Sequence, residues 1–350
     1  MALTHVKIVG SGLIGTSIGL ALAARKVSVT MVDIDPAAQA LAQDLVGAPT
    51  TGNDPEFLII ASPLSTVSQA IESEILQGLN IGFMDISSVK TNPVLEIKSL
   101  GIDMSRFLPT HPMAGREVGG AESSRADLFQ GRPWIVDATG VSSEVVAQGL
   151  EVIELCGGHL IEMSIATHDN AVALVSHLPQ IMSSALAAQL EGAPGEWLDL
   201  AGSGLRDTTR IAASNPELWQ EIISANRASI APLLDRVIEE LQELSRNIQN
   251  VDAVGDFIKS GNRGRSMIPG KHGGVARNYT YLPVVIEDKP GQLAALFDEC
   301  ARAKVNVEDL AIEHSPEQYT GLITLALSQS DAEKLHRHLL EQGWSAHSPR

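Results

Sequence analysis

Gly10-Ser11-Gly12-Leu13-Ile14-Gly15 stands between an apolar run, Val6 to Val9, and an amphipathic stretch, Thr16 to Ala24. That order predicts a strand, a tight turn and a helix. The first glycine permits the turn, the second lets backbone approach a pyrophosphate, and the third lets helix pack on strand, so that the helix N-terminus faces the phosphates. The glycine pattern alone fits an ordinary turn equally well. Here a second β-rich run, Val27 to Val32, ends in Asp33, close to the acid expected about 20 residues after the glycines of a dinucleotide cradle. The expectation is a Rossmann-type α/β domain with cofactor contacts at Gly10, Gly12, Leu13, Ile14, Gly15 and Asp33. A carboxylate at Asp33 accepts hydrogen bonds from an adenosine ribose diol and repels a 2′-phosphate, which favours NAD over NADP. The alternative, that Asp33 caps the helix starting at Pro36, is weaker because Asp35 is better placed for the cap.

A chain of 350 residues is too long for one ordinary core, and two or three domains are expected. A formal net charge of −17 argues against a nucleic-acid partner, whose nonspecific affinity comes from Lys and Arg displacing counterions. The sequence has no 18-residue apolar run, and Met1 to His5 leads straight into the first strand without a leader pattern, so a cytoplasmic protein without a membrane partner is expected. Cys156 and Cys300, the only cysteines, lie far apart and lack metal-ligand spacing, so neither a disulfide framework nor a metal site is indicated.

Past Asp33, helix and strand alternate: a helix from Pro36 to Val46, then the segments Phe57 to Pro63 and Ile81 to Ile86. Continuous apolar runs between amphipathic helices predict a parallel sheet covered on both faces, with ligands beyond the carboxyl ends of its strands. That rim holds Ser62, Ser87, Ser88 and the segment Phe107 to Pro112, which includes His111. From Thr167 to Asn250 helices replace strands, over 169–191, 216–225 and 226–250, with more apolar surface than a small domain hides. A partner subunit is expected to cover part of it. Gly261 to Val275, with Arg263, Arg265 and Lys271 among glycines, reads as a linker, with contact to an anionic ligand as the alternative. Tyr279 to Trp344 returns to a β-α-β-β-α-β pattern, a ferredoxin-like split unit. The expected boundaries are a Rossmann domain over 1–165, a helical substrate and dimerisation domain over 166–260, a linker over 261–277 and a small α/β domain over 278–350.

Two clusters carry chemistry. His111, fixed by Pro112 on the expected cofactor rim, suits a general base for a hydroxyl. In Gly202-Ser203-Gly204-Leu205-Arg206-Asp207-Thr208-Thr209-Arg210, a guanidinium beside glycines suits a carboxylate ligand. A helix-helix corner with Arg210 paired to an internal acid fits that second cluster as well.

The set Gly10 to Gly15, Ser87-Ser88-Val89-Lys90, His111-Pro112-Met113-Ala114-Gly115, Glu117, Ser176-His177-Leu178-Pro179 and Asp207-Thr208-Thr209-Arg210 with Trp219 resembles the prephenate dehydrogenase family of tyrosine biosynthesis over residues 5 to 250. Val285 to Leu293 and Val305-Asn306-Val307 resemble an ACT domain, a small amino-acid-sensing module. The resemblance implies an NAD-dependent oxidative decarboxylation in which His111 takes the ring hydroxyl proton, Ser88 orients it and Arg210 binds the ring carboxylate. It also implies substrate contacts at His177, Gln180, Ser203 and Trp219, and an amino-acid effector at Asp288, Pro290, Gly291 and Asn306. A homodimer or larger homo-oligomer is expected. Many relatives carry a histidine where this chain has Gln180, which leaves prephenate and arogenate open as substrates. Two other readings remain. A β-hydroxyacid or imine-reducing enzyme of similar architecture would usually need a lysine in the helical region, and Ser164 to Asn250 has none. A non-catalytic dinucleotide and amino-acid sensor would need no base on the rim.

Overall fold

The computed structural model describes residues 3–49, 52–115, 118–268, 279–314 and 320–350. Glu117 and residues 269–275 of the Gly-rich segment, Lys271 among them, lie outside that set. The chain divides into two compact units, Met1–Glu239 and Glu240–Arg350.

The first unit opens with β1 (His5–Val9), α1 (Leu13–Ala24), β2 (Ser28–Val32), α2 (Pro36–Val46), β3 (Phe57–Ile60), α3 (Val67–Leu76), β4 (Gly82–Asp85), α4 (Thr91–Ser99) and β5 (Phe107–Pro112). After these come β6 (Pro133–Val136), α5 (Ser143–Leu155) and β7 (His159–Glu162). The strands form one seven-stranded sheet in the order β2-β1-β3-β4-β5-β6-β7. All four residues of β3 and of β4 are buried, as strands covered on both faces require. Leu58, Ile60, Phe83 and Phe107 pack with one layer of helices, and Val6, Ile8, Phe57, Ile59, Met84 and Leu108 with the other.

The sheet departs from the all-parallel expectation at one place. Pairing is parallel from β2 through β5, but β6 runs antiparallel to β5, and β7 is parallel to β6. Among the described residues no α-helix separates β5 from β6, so the chain folds back instead of crossing over. The direction of travel through the sheet reverses between β1 and β3, which puts a crevice beyond the carboxyl ends of those two strands.

The helices that follow are α6 (Ile165–Val172), a π-helical turn over Ala173–His177, α7 (Leu178–Ala188), α8 (Gly195–Leu198), α9 (Ser203–Thr209), α10 (Pro216–Ala225) and α11 (Arg227–Arg246), which runs through the division between units. The expected single helix over 169–191 is thus two α-helices joined by the wider turn. Pro179 supplies a physical reason: its ring would press on the carbonyl of Val175 and it has no N–H to donate, and a wider turn before it accommodates both. Continuous helix over Ile165–Ala188 is long and apolar enough to cross a membrane by length and composition, although it holds no uninterrupted apolar run of 18 residues. It also carries His168, Asp169 and His177, all buried and hydrogen-bonded within the protein, while Leu174, Val175 and Leu186 are exposed.

The second unit contains α12 (Val251–Ser266), β8 (Thr280–Glu287), α13 (Gln292–Arg302), β9 (Asp309–His314), β10 (Thr320–Leu327), α14 (Gln329–Glu341) and β11 (Ser345–Ala346). Its four strands form an antiparallel sheet in the order β11-β8-β10-β9, with Leu282, Val284, Leu296, Ile323, Leu325, Leu335 and Leu339 in the core. The expected helix over 226–250 ends earlier, because the Asn250 side chain accepts from the Asp252 and Ala253 amides and starts a new helix. Residues 261–266, assigned to the linker, are the end of that helix, with Arg263 and Arg265 at its C-terminus where cations are favoured.

Close packing behind β5 offers a test. A Cβ added at Gly149 would lie 2.2 Å from Leu108 Cδ2. Gly149→Ala is expected to destabilise the protein by about 1 to 3 kcal/mol through overpacking, at about 2 to 4 °C of Tm per kcal/mol. Scanning calorimetry checks this, and an unchanged Tm would mean that Leu108 repacks freely.

Candidate active site

The turn after β1 is built to let something approach. Gly10 has φ +110°, and a Cβ there would sit 2.4 Å from the Ala61 carbonyl carbon, so the β1 and β3 loops touch backbone to backbone. Around Gly12, by contrast, a Cβ would meet nothing within 4 Å. Helix α1 begins at Leu13 and Ile14 with no side-chain cap and no acid in its first turn, leaving its N–H groups for an anion. The hydroxyls of Ser11 and Ser62, at the tips of β1 and β3, are buried with no hydrogen-bond partner among the described residues. Two orphaned donors flanking an open glycine and an uncapped helix fit a dinucleotide.

Asp33 stands at the end of β2 with one carboxylate oxygen accepting from the Ser11 amide at 2.6 Å and the other from the Asp35 amide at 2.9 Å. Asp35 accepts from Ala37 N at 2.9 Å and caps α2, so Asp33 is not the cap. Each Asp33 oxygen keeps a lone pair for a further donor. Ser87, expected on the cofactor, is turned inward: its hydroxyl contacts the Asp85 carboxylate and the Val89 carbonyl.

His111 occupies the carboxyl end of β5, on the same edge of the sheet. Its Nδ1 lies 2.8 Å from His168 Nε2, and the two rings meet edge to face. His168 Nδ1 lies 2.8 Å from Asp169 Oδ1. Asp169 in turn accepts from the backbone amides of Lys90 and Thr91, both at 2.9 Å, and so caps α4 from a distant segment. Asn226 closes the group, donating to the Asp169 carbonyl at 2.7 Å and lying 3.1 Å from His177 Nδ1. The Trp219 ring stands edge-on to His177, with centroids 6.0 Å apart.

Beneath His111 lies a second buried network. Lys90 Nζ bonds Asp85 Oδ2 and the Thr110 carbonyl, each at 2.5 Å. Thr110 donates its hydroxyl to the Asp85 carbonyl and receives the Trp134 indole N–H. Burial lowers the Lys90 pKa, and the Asp85 carboxylate opposes that.

Electrostatics favour uncharged imidazoles. Burial holds His111 well below the usual histidine range, reinforced by His168, Lys90 and His177 and opposed by Asp169. Burial also lowers His177, to about 4. Burial would raise Asp169, but hydrogen bonds from His168 and from Lys90 and Thr91 overcome it and hold the carboxyl at about 2. Neither cysteine is a nucleophile, since burial pushes Cys156 up to about 12 and Cys300 up to about 11. Among the described residues no group of three or more His, Cys, Asp or Glu is placed to hold a metal ion.

The structure therefore brings together His111, His177 and Trp219 but replaces the partner expected for His111. Ser88 makes no hydrogen bond with it among the described residues; His168 does, because α6 delivers that ring directly behind β5. Gln180 is buried, and its amide donates to the Ile211 carbonyl at 3.0 Å and to Ser184. These bonds tie it to the turn that begins at Arg210. Arg210 is exposed at the start of that turn, and Ser203 is exposed at the first residue of α9. Sequence reading missed Asp85, His168, Asp169 and Asn226, and treated Lys90 only as part of a motif. Charged and polar residues inside an apolar helix, such as His168 and Asp169, were the available signal.

Comparison with known proteins agrees with this geometry. Residues 18–162 match the family model for the prephenate dehydrogenase nucleotide-binding domain, and residues 164–259 match that for the prephenate dehydrogenase dimerization domain. A relative, the probable prephenate dehydrogenase NovF of Streptomyces niveus, is 31% identical over 97% of this chain and 99% of its own. The crystal structure of prephenate dehydrogenase from Aquifex aeolicus with hydroxyphenyl propionate and NAD+ superposes with a TM-score of 0.66, at 27% identity, over 76% of this chain and 98% of that one. Synechocystis arogenate dehydrogenase gives a TM-score of 0.62 at 26% identity over 75% of this chain and 98% of its own. With the cradle, the buried histidines and these matches in agreement, the chain belongs to the prephenate dehydrogenase family.

Proposed function

We propose that this protein oxidatively decarboxylates prephenate to 4-hydroxyphenylpyruvate, with His111 as general base. The observation that carries the reading is His111 itself, held at the cofactor edge of the sheet as a neutral imidazole with Nδ1 engaged by His168. The enzyme is an oxidoreductase and its cofactor is NAD, consistent with the nucleotide-binding family model and the NAD+ in the Aquifex relative. Gly10, Gly12, Leu13, Ile14 and Gly15 would hold its pyrophosphate, Asp33 its adenosine ribose, and Ser62 a hydroxyl or phosphate oxygen nearer the nicotinamide. When bound, NAD supplies the hydride acceptor.

His111 accepts the ring hydroxyl proton at Nε2, and Arg210 fixes the ring carboxylate with its planar fork. His177, with Nδ1 turned to Asn226, offers Nε2–H to the substrate, and Trp219 walls that side. Loss of carbon dioxide yields an aromatic ring, which makes the step irreversible. Arogenate is the second substrate reading, favoured by the likeness to the Synechocystis enzyme. Gln180, which left the two substrates open, has its amide engaged with the Ile211 carbonyl. The dimerization-domain match supports a homodimer covering the exposed apolar residues of Ile165–Ala188.

The β-α-β-β-α-β unit after residue 278 is read as an ACT-type module for an amino-acid effector. Its support is the connectivity together with the sheet order β11-β8-β10-β9. Gly291, with φ +90°, starts α13 beside the exposed Asp288 and Pro290. Asn306 lies before β9 with its amide on Glu308 at 3.1 Å. Because β8 and β9 both pair antiparallel to β10, Asn306 and Gly291 lie at opposite ends of one sheet. A shared effector site would therefore combine the turn of one copy with the asparagine of another.

NADH absorbance with prephenate and with arogenate tests the substrate. His111→Asn is expected to lower turnover by about 10²-fold to 10⁴-fold with NAD affinity kept. Sequence alone places the acid limb of activity near the free histidine value of about 6.5; the lowered pKa of His111 keeps its base form at lower pH, so the limb is expected below that value. A limb at or above 6.5 would remove His111 as the titrating base. Arg210→Ala is expected to weaken substrate binding by about 1.5 to 3 kcal/mol, the range for a hydrogen bond to a charged group. Titration calorimetry with unchanged affinity would make it structural. Tyrosine inhibition of the full chain should be lost in Asn306→Ala with catalysis retained; identical inhibition would place the effector elsewhere.

A further inference from the structure

The proton positions behind His111 follow from Asp169. As an ionised carboxylate it can only accept hydrogen bonds, so His168 Nδ1, 2.8 Å away, carries a proton. A neutral His168 then has its lone pair at Nε2. That atom lies 2.8 Å from His111 Nδ1, which must therefore be the donor. A neutral His111 is left with its lone pair at Nε2. One carboxylate thus sets the tautomers of two imidazoles in series and decides which nitrogen of His111 is basic.

The same series answers a difficulty in using His111 as a base. A cation on its ring is disfavoured by burial and by the groups around it: Lys90 before α4, His177 on the π turn and His168 on α6. Asp85 pairs with Lys90, and Asp169 contacts His168 directly rather than His111. Of the two rings, His168 is the one that contacts a carboxylate directly.

We propose that His168 and Asp169 form a proton-holding relay for the base His111. The substrate O–H breaks as N–H forms at His111 Nε2, while the His111 Nδ1 proton moves to His168 Nε2. His111 ends neutral with its tautomer reversed. His168 ends as an imidazolium holding its Nδ1 proton against Asp169, which stays a carboxylate. No further oxidant or co-reactant enters. His168 is a positioning residue, acting through His111, and the inference rests on the reading of His111 as base.

Nitrogen-15 NMR of histidine-labelled, unliganded wild-type protein tests the tautomers without turnover: the expected result is an Nδ1–H form at both His111 and His168. An Nε2–H form at neutral His111 would overturn the relay whatever the substrate. In His168→Ala, single-turnover NADH formation is expected to fall by about 10²-fold, within the usual worth of positioned acid-base groups, with NAD affinity unchanged and added imidazole restoring part of the rate. A rate within threefold of wild type, or a fall that imidazole does not relieve, would reduce His168 to packing. Wild-type inactivity on both prephenate and arogenate, with the Nδ1–H tautomers present, would sink the proposed reaction and leave the tautomer order standing.

Discussion

Asp169 is the point on which the rest of the site depends. Its carboxylate caps α4 through the amides of Lys90 and Thr91, holds His168, and sits in a segment whose carbonyl is taken by Asn226. Three pieces of chain remote in sequence thereby meet at one residue that is 3% exposed. A carboxylate so buried is costly unless hydrogen-bonded, and here backbone amides at a helix start supply the compensation. That arrangement ties the dinucleotide-binding sheet to the helices after Ser164 within the one compact unit that runs through Glu239.

The Lys90 network works in a related way. Its ion pair with Asp85 is almost fully enclosed, and such pairs contribute little to stability on their own once desolvation is counted. Its value lies in geometry and field. Lys90 Nζ fixes the carbonyl of Thr110, the residue before His111, and Trp134 fixes the Thr110 hydroxyl. The same ammonium adds to the burial that disfavours a positive charge on His111, so one residue both holds the base and helps to keep it neutral.

Elements with a strong local signal were legible in the sequence. The glycine turn, α2 with its Asp35 and Pro36 start, the buried runs of β3 and β4, and the position of His111 at the end of β5 all follow from period, caps and turn chemistry. What local signals cannot carry was missed. The reversal at β6 depends on how the chain returns after β5, and the break at Asn247 to Asn250 on whether Asn250 ends one helix or begins another. The resemblance assigns Ser88 to His111 from motif order, whereas the hydrogen bond that the structure shows comes from His168 on α6, a segment remote in sequence. The resemblance assigns Gln180 to the substrate because many relatives carry a histidine at that position, whereas the structure turns its amide towards Ile211.

Helix Ile165–Ala188 shows how one segment meets two demands. Its polar residues His168, Asp169 and His177 face inward and build the site, while Leu174, Val175 and Leu186 remain exposed. A helix with charged groups buried and aliphatic groups outside cannot be stable as an isolated surface element, and its length and hydropathy alone mimic a membrane span. The dimerization-domain match over residues 164–259 supplies the alternative environment, a protein surface in place of lipid. On that reading, the face that a partner covers and the face that orders the imidazoles belong to the same turns of helix. The π turn at Ala173–His177 lies where the two roles meet: it brings His177 to Asn226 inside while leaving Leu174 and Val175 outside. Packing on the outer face of these turns and the orientation of His177 on their inner face are thereby joined through the five residues of the π turn.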